Sequence, residues 1–347
     1  MKNIIGGNSL AQPAQVTTLT VDGEDAGQRL DNFLMRHLKG VPKTHVYRII
    51  RSGEVRVNKG RATVDRRVEA GDAIRLPPVR TSQRADAKTQ AMAAGMVASG
   101  LPGALGRVAP AREFPVLFED DCLLAIDKPA GVAVHGGSGV SFGVIEQLRM
   151  ARPQARFLEL VHRLDRETSG ILLVAKKRSA LKHLQNQFRE RETGKTYLAL
   201  VAGQWPARLK VLDKSLHKYL LPDGERRVRI VSSDHPDAMP SLTLVKVART
   251  GAGFTLLEVT IKTGRTHQIR VHLAAEGMPI AGDEKYGDFE LNKSLQRTAT
   301  VVPLRRMFLH AWRLQFNHPA SGERIELLAT LPSDLTQFLD HVAPDTP

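Results

Sequence analysis

The chain has 347 residues, a formal net charge of +14, a pI near 10.1 and one cysteine, Cys122. One cysteine excludes an internal disulfide framework and a cysteine-built metal cluster, which fits a reducing, cytoplasmic setting. Residues 1–15 lack an apolar run long enough for a signal peptide and no stretch approaches a membrane span, so the expected partner is a polyanion such as nucleic acid, not a membrane.

In chain order, residues 1–27 read as a flexible N-terminal extension. Residues 28–80 hold 13 Lys and Arg against 5 Asp and Glu, more than half of the net charge. Within them Leu30, Phe33, Leu34 and Leu38, and then Val46, Ile49 and Ile50, fall at helical spacing on either side of Gly40-Val41-Pro42. Two short helices so joined bring Lys43, His45, Arg48 and Arg51 to or near one exposed side. Residues 54–60 alternate like a strand entering a turn, and 68–72 with 73–76 suggest a second pair of short strands. A helix pair backed by strands, with cations along one face, suits phosphate contact; a solvated basic surface has the same pattern. Residues 81–113, with nine alanines, four glycines and no aromatic, read as a flexible linker.

Residues 114–335 have the texture of a sheet-rich domain, and 336–347 read as a C-terminal tail. Residues 116–118 and 123–126 flank Glu119-Asp120-Asp121 as a hairpin, and 142–150 and 179–189 have helical spacing. Residues 196–201 form a strand, and 242–247 with 254–261 flank Gly251-Ala252-Gly253 as another hairpin. Thr266 is the expected cap of a helix that follows Gly264. Hairpin-paired strands that outnumber helices predict an α+β domain on a mixed, largely antiparallel sheet, preceded by a small α/β module.

The polar segment His162-Arg163-Leu164-Asp165-Arg166-Glu167-Thr168-Ser169-Gly170 lies between a strand at 157–161 and a buried one at 171–175. A carboxylate bracketed by Arg163 and Arg166 stays ionised near neutral pH and suits nucleophilic attack or charge stabilisation better than proton donation. A solvated loop with an ordinary ion pair is the plainer alternative. A second concentration runs from Gly264-Arg265-Thr266-His267 to Gln268-Ile269-Arg270-Val271-His272. Its two histidines are five apart and no carboxylate completes a metal set, so pairing of Arg265 and Arg270 with phosphate or carboxylate is the better use. Tyr197, in Lys195-Thr196-Tyr197, fits core packing as readily as a site. The run His135-Gly136-Gly137-Ser138-Gly139 lacks the lysine and spacing of a nucleotide-binding loop, and Ser169 with His162 lacks the glycines of a nucleophile elbow.

Two resemblances add to this reading. Arg29-Leu30-Asp31-Asn32-Phe33-Leu34, Ile49-Ile50-Arg51-Ser52-Gly53-Glu54-Val55-Arg56-Val57-Asn58 and the Gly71-Asp72 turn resemble the S4 RNA-binding module, which implies RNA binding but no chemistry; Lys43, Arg48 and Arg51 on the basic side are the expected contacts. Lys128-Pro129-Ala130-Gly131, His162-Arg163-Leu164-Asp165 with Thr168-Ser169-Gly170, Lys195-Thr196-Tyr197 and Gly264-Arg265-Thr266-His267-Gln268-Ile269-Arg270 resemble, in order, the motifs of the pseudouridine synthases of large ribosomal RNA.

This second resemblance spans residues 114–330. It implies isomerisation of uridine in large-subunit ribosomal RNA, without cofactor or metal; nothing in the sequence demands an oligomer or a protein partner, and a monomer is expected. The branch of the family that the run from His135 to Gln147 fits implies more than one target uridine. Asp165 would be the essential carboxylate, Arg270 its partner, and Tyr197 the stacking platform for a uracil flipped out of its stack. Arg163 would fill the gap the base leaves, with Arg265 and His267 also on the RNA. Two other readings compete: an inactive RNA-binding or assembly factor, and a metal-dependent ribonuclease at Asp165. The joint presence of Asp165, Tyr197 and Arg270 speaks against the first, and the lack of a carboxylate cluster against the second.

Overall fold

In the computed structural model of the protein, the described residues are 16–23, 25–38, 41, 43–79, 109–136, 142–222, 224–297 and 302–344. Most of the expected linker, 81–108, and Gly137-Ser138-Gly139 lie outside them. The chain divides into two compact units, Met1–Leu105 and Gly106–Pro347.

The first unit holds helices α1 (Leu30–His37) and α2 (Lys43–Arg51) and strands β1 (Thr17–Thr20), β2 (Arg56–Val57), β3 (Gly60–Arg61) and β4 (Ala73–Leu76). Leu30, Phe33 and Leu34 from α1 meet Val46, Ile49 and Ile50 from α2 over Val55, Val57 and Ile74, as the helical spacing requires. The sheet order is β1-β4-β2-β3. Two details differ from expectation. Thr17–Thr20, inside the stretch read as an extension, pairs with β4 along its whole length. Residues 68–72 do not form a strand, because the Asp72 carboxylate accepts the Glu69 N–H at 2.9 Å and the Asn58 amide at 2.6 Å and closes a turn there.

The second unit is built on a 10-stranded sheet among the described residues. Its strands are β5 (Val116–Glu119), β6 (Leu123–Lys128), β7 (Glu159–Leu160), β8 (Ser169–Ala175), β9 (Gly194–Ala202), β10 (Val211–Asp213), β13 (Leu242–Gly251), β14 (Phe254–Ile261), β15 (Leu309–Asn317) and β16 (Arg324–Leu328). A separate hairpin, β11 (Ser215–Leu220) and β12 (Arg226–Val231), stands beside it. The main order is β10-β13-β14-β9-β15-β8-β6-β5, and every pairing is antiparallel except that of β15 with β8. The fold is therefore α+β on a mixed, largely antiparallel sheet, as the hairpin pattern predicts.

Helices α3 (Val144–Ala151), α4 (Arg178–Glu190), α5 (Gln268–Ala275), α6 (Phe289–Arg297) and α7 (Ser333–Val342) complete the second unit. Strand β8 explains its unbroken apolar run: Leu172 and Val174 pack with Leu124, Ile126 and Leu148, while Ile171, Leu173 and Ala175 pack with Leu184 and Phe316. Alternate side chains leave opposite faces of a strand, and here both faces are covered. Helix α7 runs into the stretch read as a tail and buries Leu335, Phe338, Leu339 and Val342 against the main core.

The strand expected at 157–161 is cut to Glu159–Leu160. Val161 N–H still donates to the Leu173 carbonyl at 3.0 Å, but the Leu173 N–H goes to Nε2 of the His162 imidazole at 3.1 Å. The chain leaves the sheet there and enters the loop that carries Asp165.

Candidate active site

The loop between β7 and β8 is held from beneath. Leu164 is buried in the core cluster around Leu172 and Val174, and Thr168 N–H closes onto the Asp165 carbonyl at 3.2 Å. The Arg166 carbonyl accepts from Gly131 N–H at 2.9 Å and from the Lys128 ammonium at 3.1 Å. Lys128 is fully buried and also donates to the carbonyls of Pro129 (2.8 Å) and Val132 (2.9 Å). Burial pushes its pKa down to about 7; three carbonyl acceptors need three N–H donors, which only the ammonium has, and this favours the charged form. Gly170 follows the loop at φ +108, and a Cβ there would overlap the Ala311 carbonyl on β15. The motif's glycine is thus needed for backbone conformation and for the parallel β8–β15 contact together.

The second concentration of polar residues forms the start of α5. Thr266 does not cap it. The cap position belongs to His267, in the left-handed region at φ 53 and without a side-chain cap bond. The buried Gln268 does the tying instead: its carbonyl oxygen accepts from Arg265 N–H (3.1 Å) and Thr263 Oγ1 (2.7 Å), and its amide donates to the Leu242 carbonyl (3.1 Å). This fixes the turn so that Arg270, in the first turn of α5, faces the Asp165 loop.

Arg270 Nη1 donates to Asp165 Oδ2 at 3.1 Å, the pairing the resemblance implies. The rest of the guanidinium is engaged by Asp283, with Nε to Oδ2 at 2.8 Å and Nη2 to Oδ1 at 2.7 Å. Burial opposes the charge on both, but the fork-to-fork geometry prevails and holds the Asp283 carboxyl below its usual range. Asp283 is 1% exposed and its backbone partners Lys285 N–H and Tyr286 N–H also donate to Oδ1. No sequence signal singles out Asp283: it lies 13 residues from Arg270 in a loop of ordinary composition.

His267 stands beside the pair, with Nε2 3.7 Å from Asp165 Oδ2 and Nδ1 2.8 Å from the Tyr286 hydroxyl. That hydroxyl also accepts the Val228 N–H at 3.0 Å, which holds it in place beside the imidazole. Burial lowers the His267 pKa to about 4, so the imidazole is neutral at neutral pH. It acts here as a dipolar neighbour of Asp165 and not as a cation.

Asp165, Tyr197, Arg163, Arg265, His267 and Arg270 line one cleft of about 490 Å³. Tyr197 is supplied by β9, and burial first, then the nearby Asp165 charge, pushes its phenol pKa up. The cleft wall carries seven cationic side chains, Arg163, Arg189, Arg191, Lys195, Lys262, Arg265 and Arg270, against Asp165 as its one carboxylate. Asp165 and Arg270 also line a second cleft of about 550 Å³, together with Arg166, Arg227, Lys285 and Arg306. Arg166, read as a bracket for Asp165, pairs instead with Glu167 at 2.6 Å. Arg163 is exposed, and its guanidinium has no hydrogen-bond or ion-pair partner among the described residues.

Ser169 and His162 do not meet. Ser169 Oγ lies 2.9 Å from His310 Nδ1 and accepts from Arg306 at 2.6 Å, buried behind the loop. Two groups of side chains among the described residues have metal-ligand spacing, Asp120 with Cys122 and His318, and His217 with His235 and Asp237; neither contains a residue of the clefts. In the unit that bears α2, Arg48 and Arg51 are exposed, with Arg48 3.3 Å from His45 and Arg51 5.8 Å from the Tyr47 ring; Lys43 opens the helix. No helix among the described residues is long and apolar enough to cross a membrane.

A sheet of this order, with an aspartate loop facing an arginine and a tyrosine across a basic cleft, matches a known class of RNA-modifying isomerase. The profile described as RNA pseudouridylate synthase matches residues 122–275, and that of the S4 domain matches residues 28–74. The chain belongs to the pseudouridine synthase family. It is 48% identical over 326 residues to "Ribosomal large subunit pseudouridine synthase C" of Haemophilus influenzae, covering 94% of this chain and 95% of that protein. The protein of the same name from Escherichia coli strain K12 is 48% identical over 324 residues, 93% of this chain and 96% of that one. Among solved structures, "Human RNA Pseudouridylate Synthase Domain Containing 1" superposes with a TM-score of 0.54 at 27% identity, over 71% of this chain and 92% of that one. "Human RNA Pseudouridylate Synthase Domain Containing 4" gives 0.53 at 27% identity, over 65% and 92%.

Proposed function

We propose that this pseudouridine synthase acts on large-subunit ribosomal RNA, at more than one uridine, without a cofactor, and that Asp165 is its essential carboxylate. The observation that carries the reading is the cleft itself, in which one carboxylate, tethered by Arg270, stands among cations and opposite Tyr197. The relatives named for the large ribosomal subunit share 48% of the sequence over nearly the whole chain, which supports that substrate.

The reaction breaks the N1–C1′ bond, turns the uracil and forms a C5–C1′ bond; C5 loses a hydrogen and N1 gains one. Nothing is oxidised, and no group is exchanged that a cofactor must carry. Asp165 acts at the sugar or the base while Arg270 fixes the orientation of its carboxylate and, through Asp283, is itself fixed. The target base leaves its stack, at about a few kcal/mol, to lie against Tyr197. Arg163, exposed and without an ion-pair partner among the described residues, takes the vacated place in the stack, and Arg265 contacts the backbone.

The test is to incubate the protein with unmodified large-subunit RNA, with and without chelator, and map pseudouridine. Conversion in chelator at more than one uridine is expected, with a fall of at least about 10⁴-fold in Asp165→Asn while RNA binding persists. Strand scission that needs a metal, or binding without product, would remove this reading.

A further inference from the structure

Lys195 has no part in the chemistry above, yet its setting is unusual for a lysine. Strand β9 carries it two residues before Tyr197, so both side chains leave one face of the strand, roughly 7 Å apart along it, and both line the Asp165 cleft. Lys195 is only 9% exposed. Its ammonium lies 5.3 Å from the Phe188 ring centroid, and Phe188 stacks on His162 at 4.8 Å. Burial holds the His162 pKa near 4, so that wall is neutral. The charged neighbours, Arg191 and Lys262, are of like sign and also line the cleft. Among the described residues the ammonium has no hydrogen-bond acceptor and no carboxylate. A cation–π contact recovers only part of what a buried charge loses, and an anion entering the cleft would offset both the desolvation and the repulsion.

We propose that Lys195, with Arg191 and Lys262, forms an anion site that holds one backbone phosphodiester beside the target uridine while Tyr197 faces its base. The assignment rests on the reading of the cleft as an RNA site. A phosphodiester fits better than a peptide carboxylate because the same cleft wall offers a stacking platform for a base, Tyr197, one strand repeat away.

The test measures binding to unmodified large-subunit RNA across a salt series, comparing Asp165→Asn with Asp165→Asn/Lys195→Met, the methionine keeping a long chain over Phe188. Lys195→Met should weaken binding about tenfold at low salt and make the salt slope shallower by about 0.7, one single-strand phosphate; Lys195→Arg should restore both. On a hairpin with one neutral methylphosphonate placed in turn at each phosphate flanking a uridine, the Lys195→Met penalty should vanish at one position. Unchanged affinity and slope, or penalties that add at every position, overturn the site, as does displacement by polyglutamate in place of RNA. An enzyme that binds RNA with the expected slope change but converts no uridine would strike the functional reading and leave this site standing.

Discussion

Asp165 stands out because it is a carboxylate between two arginines in a polar loop, but spacing alone misassigns its counter-ion, which only the family resemblance places at Arg270. Local sequence points to Arg163 and Arg166 as its partners; in the fold Arg166 turns to Glu167 and Arg270, 105 residues away, supplies the bond. Asp283 was invisible for the same reason, since only the folded chain brings it to Arg270. With Asp283 almost fully buried, Asp283→Ala leaves a buried guanidinium half-paired and should lower the unfolding free energy by about 3–5 kcal/mol; a loss within 1 kcal/mol in urea titration would refute the role. His310 gives a pH signature. It is fully buried, between Ser169 and the Ala329 carbonyl, and burial lowers its pKa from 6.5 to about 4. Between those values the unfolded chain binds a proton that the folded one refuses, so stability is complete above pH 6.5 and falls as the pH drops toward 4. By pH 5 the loss is about 2 kcal/mol for this group, and His162 and His267 titrate with the same sign. Urea titrations at pH 7 and pH 5 should show the fall, and His310→Gln should reduce it by its share.

At the scale of elements, hairpins and amphipathic helices followed from spacing because each depends on neighbours in sequence. The β5–β6 and β13–β14 hairpins and helices α3 and α4 lie where the periodicity puts them, within a few residues. What failed were elements shaped by a side chain standing in for backbone: His162 ends β7, Asp72 closes a turn, and Gln268 takes the capping work expected of Thr266. Such substitutions depend on a partner strand that periodicity does not reveal. The parallel pairing of β8 with β15 likewise joins strands far apart in sequence. Gly170→Ala must accept both a positive φ and overlap with the Ala311 carbonyl, and should cost about 3 kcal/mol or more. Thermal melting together with pseudouridine formation checks this: a fully stable, active variant would mean that β8 and β15 separate without consequence.

For the whole molecule, the unit matched as an S4 domain and the unit matched as an RNA pseudouridylate synthase have separate cores. Arg48→Ala with Arg51→Ala should weaken RNA affinity and make its salt slope shallower by about 1.4–1.8, while single-turnover conversion of bound RNA is unchanged. An unaltered slope would remove α2 from the interface. The strand order also sets a timetable for biosynthesis. Strand β15, residues 309–317, lies at the centre of the main sheet order, between β9 and β8, so neither half of the catalytic sheet is complete until that late stretch has left the ribosome. The first unit, whose helices and strands end by residue 76, needs none of it. A nascent chain can thus own a finished RNA-binding unit while its isomerase does not yet exist, and a truncation before residue 309 should leave a binder whose catalytic portion cannot close and is prone to aggregate through its exposed strand edges.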